Sequence, residues 1–288
     1  MNKHLPILVE EILSGLDVRK GKRYIDATYG FGGHARAIAG RGGKVLGIER
    51  DAETVTLARE ALAAQRTLPE QIHIVQASYV QIKEIAAAHG FIPADGVLFD
   101  LGFSSWQLNE SGRGFSFSQD EELDMRFDQD PASVTAMELL NRSSESALAD
   151  VFTRFAEDEN AGELAGAIVR ARPFSRTTDL VRIVSPFLAP RERRNRLARI
   201  FQAVRMAVNK ELAGIQKALP YAIEIIRPGG RIAVISFHSL EDRIVKQTFN
   251  RASVSLITKK PIIASWRERK ANPRSRSAKL RIAQKNTS

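Results

Sequence analysis

The sequence contains no cysteine among its 288 residues. Disulfide bonds, thiolate metal sites and cysteine nucleophiles are therefore excluded, and a reducing compartment is favoured. No apolar run approaches the ~20 residues of a membrane span, and PILVEEILSGL carries Glu10 and Glu11 inside its apolar periodicity, which is typical of an amphipathic helix and not of a signal peptide. The five histidines lack metal-ligand spacing. We expect a globular cytoplasmic protein without a metal.

Positive charge is concentrated in two parts of the chain, whose net charge is +10. From Lys259 to the C-terminus there are ten Lys and Arg against the single acid Glu268. Residues 165–205 contain ten arginines against Asp179 and Glu192. A solvated helix face is the alternative for the middle block taken alone, but two blocks of this density together favour contact with RNA or DNA.

The stretch YIDATYGFGGHA, from Tyr24 to Ala35, predicts a strand, a glycine turn and the start of a helix. Glycines at 30, 32 and 33 allow positive φ and a close approach of the backbone to a ligand. Glu49 follows Gly30 by nineteen residues, at the end of the apolar run KVLGIE, where a carboxylate accepts both hydroxyls of a ribose. The pattern predicts a Rossmann-type βαβ unit that binds a nucleotide or nucleoside.

Glycine spacing does not distinguish NAD from S-adenosylmethionine, and a tight turn without any ligand would have the same pattern. An NAD oxidoreductase has no use for the basic tail. A non-enzymatic ribosome-assembly factor would retain both basic blocks. These alternatives remain open on the residues alone.

The first hundred residues predict a parallel, doubly wound α/β sheet. IHIVQAS, residues 72–78, supplies a third strand, and ADGVLFDLG supplies a fourth that ends at Asp100. Tyr79, directly after the third strand, packs either against a bound purine or in the core.

No convincing strand is predicted between about Ser105 and Ile200, where helical stretches follow one another. Next we predict a long helix over Phe201–Ile226, kinked or broken at Pro220, and then a strand over Arg231–His238 with Ser239 as the following N-cap. SVSLITKKPI and AKLRIAQK form a closing strand pair. The predicted domains are a first part of the sheet domain (1–104), an inserted helical domain (105–200), and a second part of the sheet domain with the basic strand pair (201–288).

Several segments together resemble the ribosomal small subunit methyltransferase H family, also called the MraW family. They span nearly the whole chain: HLPILVEE at His4, DATYGFGGH at Asp26, DGVLFDLGFSSWQL at Asp95, RGFSF at Arg113, LDMRF at Leu123, FQAVRMAVNKEL at Phe201, GGRIAVISFHSLEDRIVK at Gly229 and NPRSRSAKLR at Asn272. The resemblance implies a class I (Rossmann-like) methyltransferase with an inserted all-α domain. It implies methyl transfer from S-adenosyl-L-methionine to N4 of a cytosine, position 1402 of 16S small-subunit rRNA, in the decoding region.

Carried over by motif, the cofactor-binding positions are Gly32, Gly33, His34, Glu49, Tyr79, Asp100 and Gln107. Glu49 stands where the family has Asp, Tyr79 where it has Phe, and Trp106 where Pro commonly precedes the Gln. The first two changes keep the carboxylate and the stacking face. Trp106 removes a rigid turn residue beside Gln107.

The candidate catalytic residues follow from the chemistry of an exocyclic amine, which is a poor nucleophile and needs an acceptor for its proton. Asp100 offers that acceptor and Phe103 an aromatic wall, in a spacing similar to the D-P-P-Y motif of amino-methyltransferases. Asp100 alternatively holds only the cofactor, and Phe103 alternatively belongs to the core. Ser104, Ser236 and His238 are candidates for base or phosphate contacts. The sequence leaves open whether the protein is a monomer or a homodimer.

Overall fold

We analysed a computed structural model that describes residues 6–65, 68, 70–187 and 191–287. His4, which begins the first family string, lies outside these residues. The chain forms two compact units. The first comprises Met1–Gly102 and Leu212–Ser288, and the second comprises Phe103–Glu211.

One mixed sheet forms the centre of the first unit. Its strands are β1 (Arg23–Asp26), β2 (Lys44–Glu49), β3 (Ile72–Gln76), β4 (Ala94–Asp100), β5 (Ile226–Ser236), β6 (Val254–Leu256), β7 (Ile262–Ile263) and β8 (Lys279–Lys285). The strand order is β3-β2-β1-β4-β5-β8-β6, with β7 also pairing with β8. Strands β1 to β5 are parallel, and β8 runs antiparallel to its three neighbours. The predicted α/β fold class is confirmed.

Helices surround the sheet in the first unit and make up the second. Along the described chain they are α1 (Val9–Gly15), α2 (Gly33–Gly40), α3 (Ala52–Ala63), α4 (Ile82–Ala88), α5 (Ser105–Asn109), α6 (Ala136–Arg142), α7 (Glu145–Ala156), α8 (Ala161–Arg170), α9 (Thr177–Val184), α10 (Arg193–Asn209), α11 (Glu211–Ile225), α12 (Ser239–Arg251) and α13 (Trp266–Ala271). Among the described helices, none is long and apolar enough to cross a membrane.

Both faces of the sheet are buried. Its parallel strands accordingly have nearly continuous apolar sequences, because their side chains are covered on either face. Val45, Leu46 and Ile48 of β2, for example, are all inaccessible to solvent. Helices α1, α2 and α3 cover one face, and α4, α11 and α12 cover the other. This double covering leaves the strand ends as the places where polar side chains can meet a ligand.

The second unit is helical and has its own apolar core, which includes Phe152 of α7, Leu164 of α8 and Ile200 of α10. Within its described residues the β-pairing found is a single bridge, between Glu122 and Arg176. The sequence predicts no convincing strand in this part of the chain, which agrees with its helical structure.

The predicted long helix over Phe201–Ile226 is wrong. α10 ends at Asn209, Lys210 adopts φ 52° and caps it, and α11 begins at the next residue. Pro220 lies inside α11, which continues through it to Ile225. The left-handed conformation of one lysine, and not the missing N–H of proline, therefore ends the first helix.

Two boundaries around β5 and α12 also differ from those predicted. β5 begins at Ile226, five residues before the predicted start, and ends at Ser236. A register shift in its pairing with β4 accommodates Gly229, which has φ 74°. The N-cap of α12 is His238 and not Ser239, since Nδ1 of His238 accepts the N–H of Glu241 at 3.3 Å. The closing antiparallel pair is confirmed as β6 with β8.

Candidate active site

Three acidic residues stand at the carboxyl ends of neighbouring parallel strands. Asp26 ends β1, Glu49 ends β2 and Asp100 ends β4. The strand order reverses between β1 and β4, and ligands of open α/β sheets bind in the crevice at that edge. The topology alone therefore identifies this edge as the candidate site.

The glycine loop lies directly after β1 and leads into α2. Gly30 and Gly32 have φ of 53° and 72°, and the N–H of Gly32 donates to the carbonyl of Tyr29 at 2.8 Å. A Cβ at Gly32 would lie 2.4 Å from the hydroxyl of Tyr29. Positive φ and this close approach explain why glycine is required at position 32. Burial raises the pKa of Tyr29 to about 12.

Glu49 joins the glycine loop to the end of β2. Its Oε2 accepts the N–H of Gly30 and its Oε1 accepts the N–H of Asp51, each at 2.9 Å. Removal from water raises the pKa of Glu49 to about 7, although these backbone donors act against the rise. Each carboxylate oxygen has two lone pairs, so both retain the capacity to accept one hydroxyl of a ribose.

His34, in the first turn of α2, lies close enough to two carboxyl groups, those of Asp26 and Asp100, to affect their pKa values. Its Nε2 donates to the carbonyl of Ile7 at 2.8 Å, because a carbonyl can only accept. Its Nδ1 is 3.7 Å from Oδ2 of Asp100. Asp26 is 1% exposed and accepts the N–H of Thr28 at 3.3 Å. Burial raises the pKa of Asp26 to about 6, and the nearby imidazole of His34 opposes that rise.

Asp100 has a buried acceptor atom without a partner among the described residues. The atom is Oδ1, whereas the backbone N–H of Asp100 donates to Oγ1 of Thr28 at 2.6 Å. Burial raises the pKa of Asp100, and the neighbouring side chains of His34 and Arg274 act against the rise. A buried acceptor left open at a strand end is what a donor from a ligand would satisfy.

Tyr79 lies in a short 3-10 turn after β3. Its half-buried ring contacts Phe99 edge-on, with the ring centroids 5.8 Å apart. The core packing that the sequence left open for Tyr79 is therefore present. Part of the ring remains accessible to a ligand.

The candidates Phe103, Ser104 and Gln107 belong to the second unit. The half-buried ring of Phe103 stacks on Phe115 with centroids 5.9 Å apart, and the guanidinium of Arg205 lies 4.4 Å from its centroid. Ser104 and Gln107 form a capping box at the start of α5, in which Oγ of Ser104 accepts the N–H of Gln107 at 3.1 Å and Oε1 of Gln107 accepts the N–H of Ser104 at 2.9 Å. Gln107 is buried.

Ser236 and His238 follow one another closely at the end of β5 and have different surroundings. Ser236 is 1% exposed and its Oγ donates to the carbonyl of Lys279. That burial removes Ser236 from the candidates for direct contact with a base or a phosphate. His238 is less enclosed, and its Nε2 lies 3.2 Å from Oε1 of the buried Glu241.

The sequence interpretation missed Asp26 and Arg274 as parts of this site. Asp26 carried a usable signal, since it is an acid at the end of the strand that precedes the glycine loop. Arg274 lies with its guanidinium 5.6 Å from the ring centroid of Phe237, close enough to Asp100 to oppose its rise in pKa. Only the fold brings that distant residue to this edge.

The chain is similar to known proteins over almost its whole length. The model of the MraW methylase family matches residues 1–286. The protein named ribosomal RNA small subunit methyltransferase H from Trichormus variabilis is 43% identical over 290 residues, covering 98% of this chain and 92% of that protein. The protein of the same name from Magnetococcus marinus is 38% identical over 311 residues, covering 98% of each chain.

Solved structures resemble the chain more distantly. An rRNA methylase from Streptococcus thermophilus has 10% identity and a TM-score of 0.46, covering 96% of this chain and 93% of that one. A SAM-dependent O-methyltransferase from Thermotoga maritima has 13% identity and a TM-score of 0.46, covering 99% of this chain and 68% of that one. At this TM-score the likeness supports no inference about the site.

Proposed function

This chain belongs to the MraW methylase family, and we propose that it transfers the methyl group of S-adenosyl-L-methionine to N4 of a cytosine in 16S small-subunit rRNA. Family membership supports methyl transfer, and relatives at about 40% identity over almost their whole length carry the name of an rRNA methyltransferase. The observation that carries the choice of an amine is Oδ1 of Asp100, a buried acceptor without a partner among the described residues.

The cofactor residues fit a nucleoside that carries a charged sulfonium. Gly32 is the N-cap of α2 and Gly33 its first residue, so neither position carries a side chain that would crowd a ligand, and His34 follows in the first turn. Glu49 retains free lone pairs on both oxygens for two ribose hydroxyls. Tyr79 offers an accessible ring edge or face for a purine. Gln107 completes the set by its match to the family motif.

S-adenosylmethionine supplies an already activated methyl group, so the residues around it need to orient the target amine and receive its proton. Asp100 is suited to this role because its Oδ1 has no other donor in the described structure and its pKa is raised by burial. Phe103, three residues after Asp100 in the chain, is the proposed aromatic wall for the base, and its ring stacks on Phe115. Ser104 and His238 remain proposed contacts to the base or to a phosphate.

The basic C-terminal segment supports an RNA substrate, because ten Lys and Arg against one acid lie between Lys259 and the C-terminus. The same proposal includes 16S rRNA as the partner and position 1402 as the target cytosine. It also places the protein in the cytoplasm, where this RNA is made. We also propose that the helical Phe103–Glu211 unit is the separate domain that the sequence predicts over residues 105–200.

Nucleoside mass spectrometry tests the function directly. Small ribosomal subunits without the modification are incubated with the protein and S-adenosylmethionine that carries an isotopically labelled methyl group, and their rRNA is digested to nucleosides. The proposal expects the label in N4-methylcytidine, at one labelled nucleoside per rRNA molecule. Label on another nucleoside would overturn the N4 assignment, and binding without any transfer would favour a non-enzymatic assembly factor.

A further inference from the structure

An exposed apolar patch lies in the basic C-terminal segment. Trp266 is 68% exposed and Ile263 is 58% exposed, and Leu256 and Ile257 are exposed nearby in the chain. Isolated exposed apolar residues are normal, but two of the most exposed large apolar side chains of the described structure stand three residues apart. The patch therefore needs a physical explanation.

The backbone that presents this patch is held in place. Ile263 belongs to β7 and pairs with Lys279 of β8. Trp266 is the first residue of α13, whose N-cap Ser265 accepts the N–H of Glu268 at 3.2 Å. Oε1 of Glu268 in turn accepts the N–H of Leu8 at 2.8 Å. The indole is thus displayed from an anchored segment.

Exposed cations surround the indole in sequence. They are Lys259, Lys260, Arg267, Lys270 and Arg276. Nζ of Lys270 lies 5.2 Å from the ring centroid of Trp266. The one acid between Lys259 and Arg276 is Glu268, whose carboxylate is engaged with Leu8. An exposed aromatic ring among cations is the combination that binds single-stranded nucleic acid, because bases stack on the ring and the cations contact phosphates.

The same segment reaches the candidate active site. Arg274, three residues beyond the end of α13, lies over the ring of Phe237 and is close enough to lower the pKa of Asp100. Phe237 follows Ser236, the last residue of β5. A strand of RNA that follows the cations from Lys270 towards Arg274 therefore arrives at the acid proposed to meet the target amine.

We propose that Trp266 stacks on an unpaired base that flanks the target cytosine, while Lys270 and the neighbouring exposed cations contact the adjoining phosphates. This inference rests on the proposed function and adds a specific binding surface for single-stranded RNA. A second copy of the chain fits the patch less well, since two surfaces of the same positive charge would face each other.

Tryptophan fluorescence isolates this surface. The chain has two tryptophans, Trp106 and Trp266, so a Trp106→Phe variant retains Trp266 as its one indole. We expect an unpaired oligouridine of about twelve nucleotides to quench its emission, since stacking brings a base against the ring. An emission unchanged at RNA concentrations that saturate binding would overturn the proposal.

Substitution of Trp266 gives the second measurement. We expect Trp266→Ala to weaken binding of the oligouridine about five-fold to a hundred-fold, and Trp266→Phe to recover most of the loss. The slope of log affinity against log salt concentration should stay the same in both Trp266 variants. Lys270→Gln should lower that slope by about one, because it removes one phosphate contact. Val134→Ala is the matched control, because Val134 is also exposed but lies in the helical unit. Unfolding midpoints establish that each variant is folded.

Methyl transfer separates this inference from the proposed function. If the wild type methylates the subunit and Trp266→Ala raises the KM for RNA without changing kcat, the stacking role is supported. Unchanged KM and RNA affinity in Trp266→Ala, with an active wild type, would overturn this inference alone. Absence of methyl transfer by the wild type would instead overturn the function. Quenching by anionic vesicles but not by RNA, or a dimer that protects Trp266, would also overturn the RNA assignment.

Discussion

The backbone N–H of Gly30 donates to Oε2 of Glu49 at 2.9 Å, so one side chain fastens the glycine loop to the end of the neighbouring strand. The other oxygen accepts the N–H of Asp51, where α3 begins. Glu49 therefore shapes the loop as well as offering acceptors to a ribose. Its removal should affect both the protein and its affinity for the cofactor.

We expect Glu49→Ala to weaken S-adenosylmethionine binding about ten-fold or more, because charge-assisted hydrogen bonds are worth roughly 1.5 to 3 kcal/mol each. Glu49→Gln is the control, since it keeps one carbonyl acceptor and the side-chain length. Calorimetric titration measures the affinity for S-adenosylmethionine. Thermal unfolding measures the stability that is lost when Glu49 no longer holds the glycine loop. Unchanged affinity in a folded Glu49→Ala variant would exclude Glu49 from the site.

The glycine loop predicts a contrast between two alanine substitutions. Gly32→Ala places a Cβ 2.4 Å from the Tyr29 hydroxyl and at φ 72°, so it should destabilise the fold by about 1 kcal/mol or more and weaken cofactor binding. Gly40→Ala, in the same helix, meets nothing within 4 Å and should be neutral or stabilising. Denaturant titration compares the two. Equal stabilities would mean that the loop readily moves away from Tyr29.

Asp100→Asn separates a chemical role from cofactor binding. If the carboxylate accepts the proton of the target amine, the amide is a weaker acceptor, and the single-turnover rate at saturating cofactor and RNA should fall while cofactor affinity changes little. If Asp100 only holds the cofactor, affinity falls and the saturated rate stays normal. Both quantities must be measured on the same preparation, and the second pattern would remove the catalytic assignment.

Asp26 predicts a pH dependence of stability. Its pKa in the folded protein is raised to about 6, above that of an unfolded aspartate, so the unfolded chain loses this proton first. The stability that Asp26 contributes is present at low pH and is lost as the pH rises from about 4 to beyond 6.

Asp26→Asn cannot ionise and should escape that loss. The free energy of unfolding of the variant relative to wild type should therefore increase with pH over this interval, by on the order of 2 to 3 kcal/mol. Urea titrations at a series of pH values give the difference. A difference that does not vary with pH would mean that Asp26 does not titrate in this range.

Arg274 and Arg276 are expected to differ, although both lie in the basic segment. Arg276 is exposed, so Arg276→Gln should reduce the log-log salt slope of RNA binding by about one and leave catalysis at saturation unchanged. Arg274→Gln should additionally alter the pH dependence of methyl transfer, because the charge of Arg274 lowers the pKa of Asp100. Lys44→Gln is the control, because Lys44 is also an exposed cation but begins β2, at the end of the strand away from Glu49 and the site. Identical salt slopes in all three variants would exclude the segment from RNA contact.

Local patterns in the sequence predicted much of the first unit. The glycine loop and the buried strands leave signals within a dozen residues, and Glu49 and Asp100 could be located because parallel strands end at one edge. The end of α10 at Lys210 leaves no such signal, since a lysine has no intrinsic preference for the left-handed conformation that it adopts there.

Contacts between distant segments account for the rest. The approach of His34 to Asp100 depends on the pairing of β1 with β4, and Arg274 reaches Phe237 only because β8 returns to β5. Ser236 is a similar case, because the sequence predicts a contact with a base or a phosphate, whereas its hydroxyl is buried and donates to a carbonyl of β8. Sequence spacing does not encode these neighbours.

The position of β8 also has a consequence for biosynthesis. It is the last of the eight strands to be translated, yet it lies between β5 and β6 in the finished sheet. While the chain is still on the ribosome, β5 keeps an open edge of unpaired N–H and C=O groups that other chains could join. The contiguous Phe103–Glu211 unit needs no later segment for its core and can fold during translation, whereas the sheet that carries the acids is complete only after β8 has been synthesised.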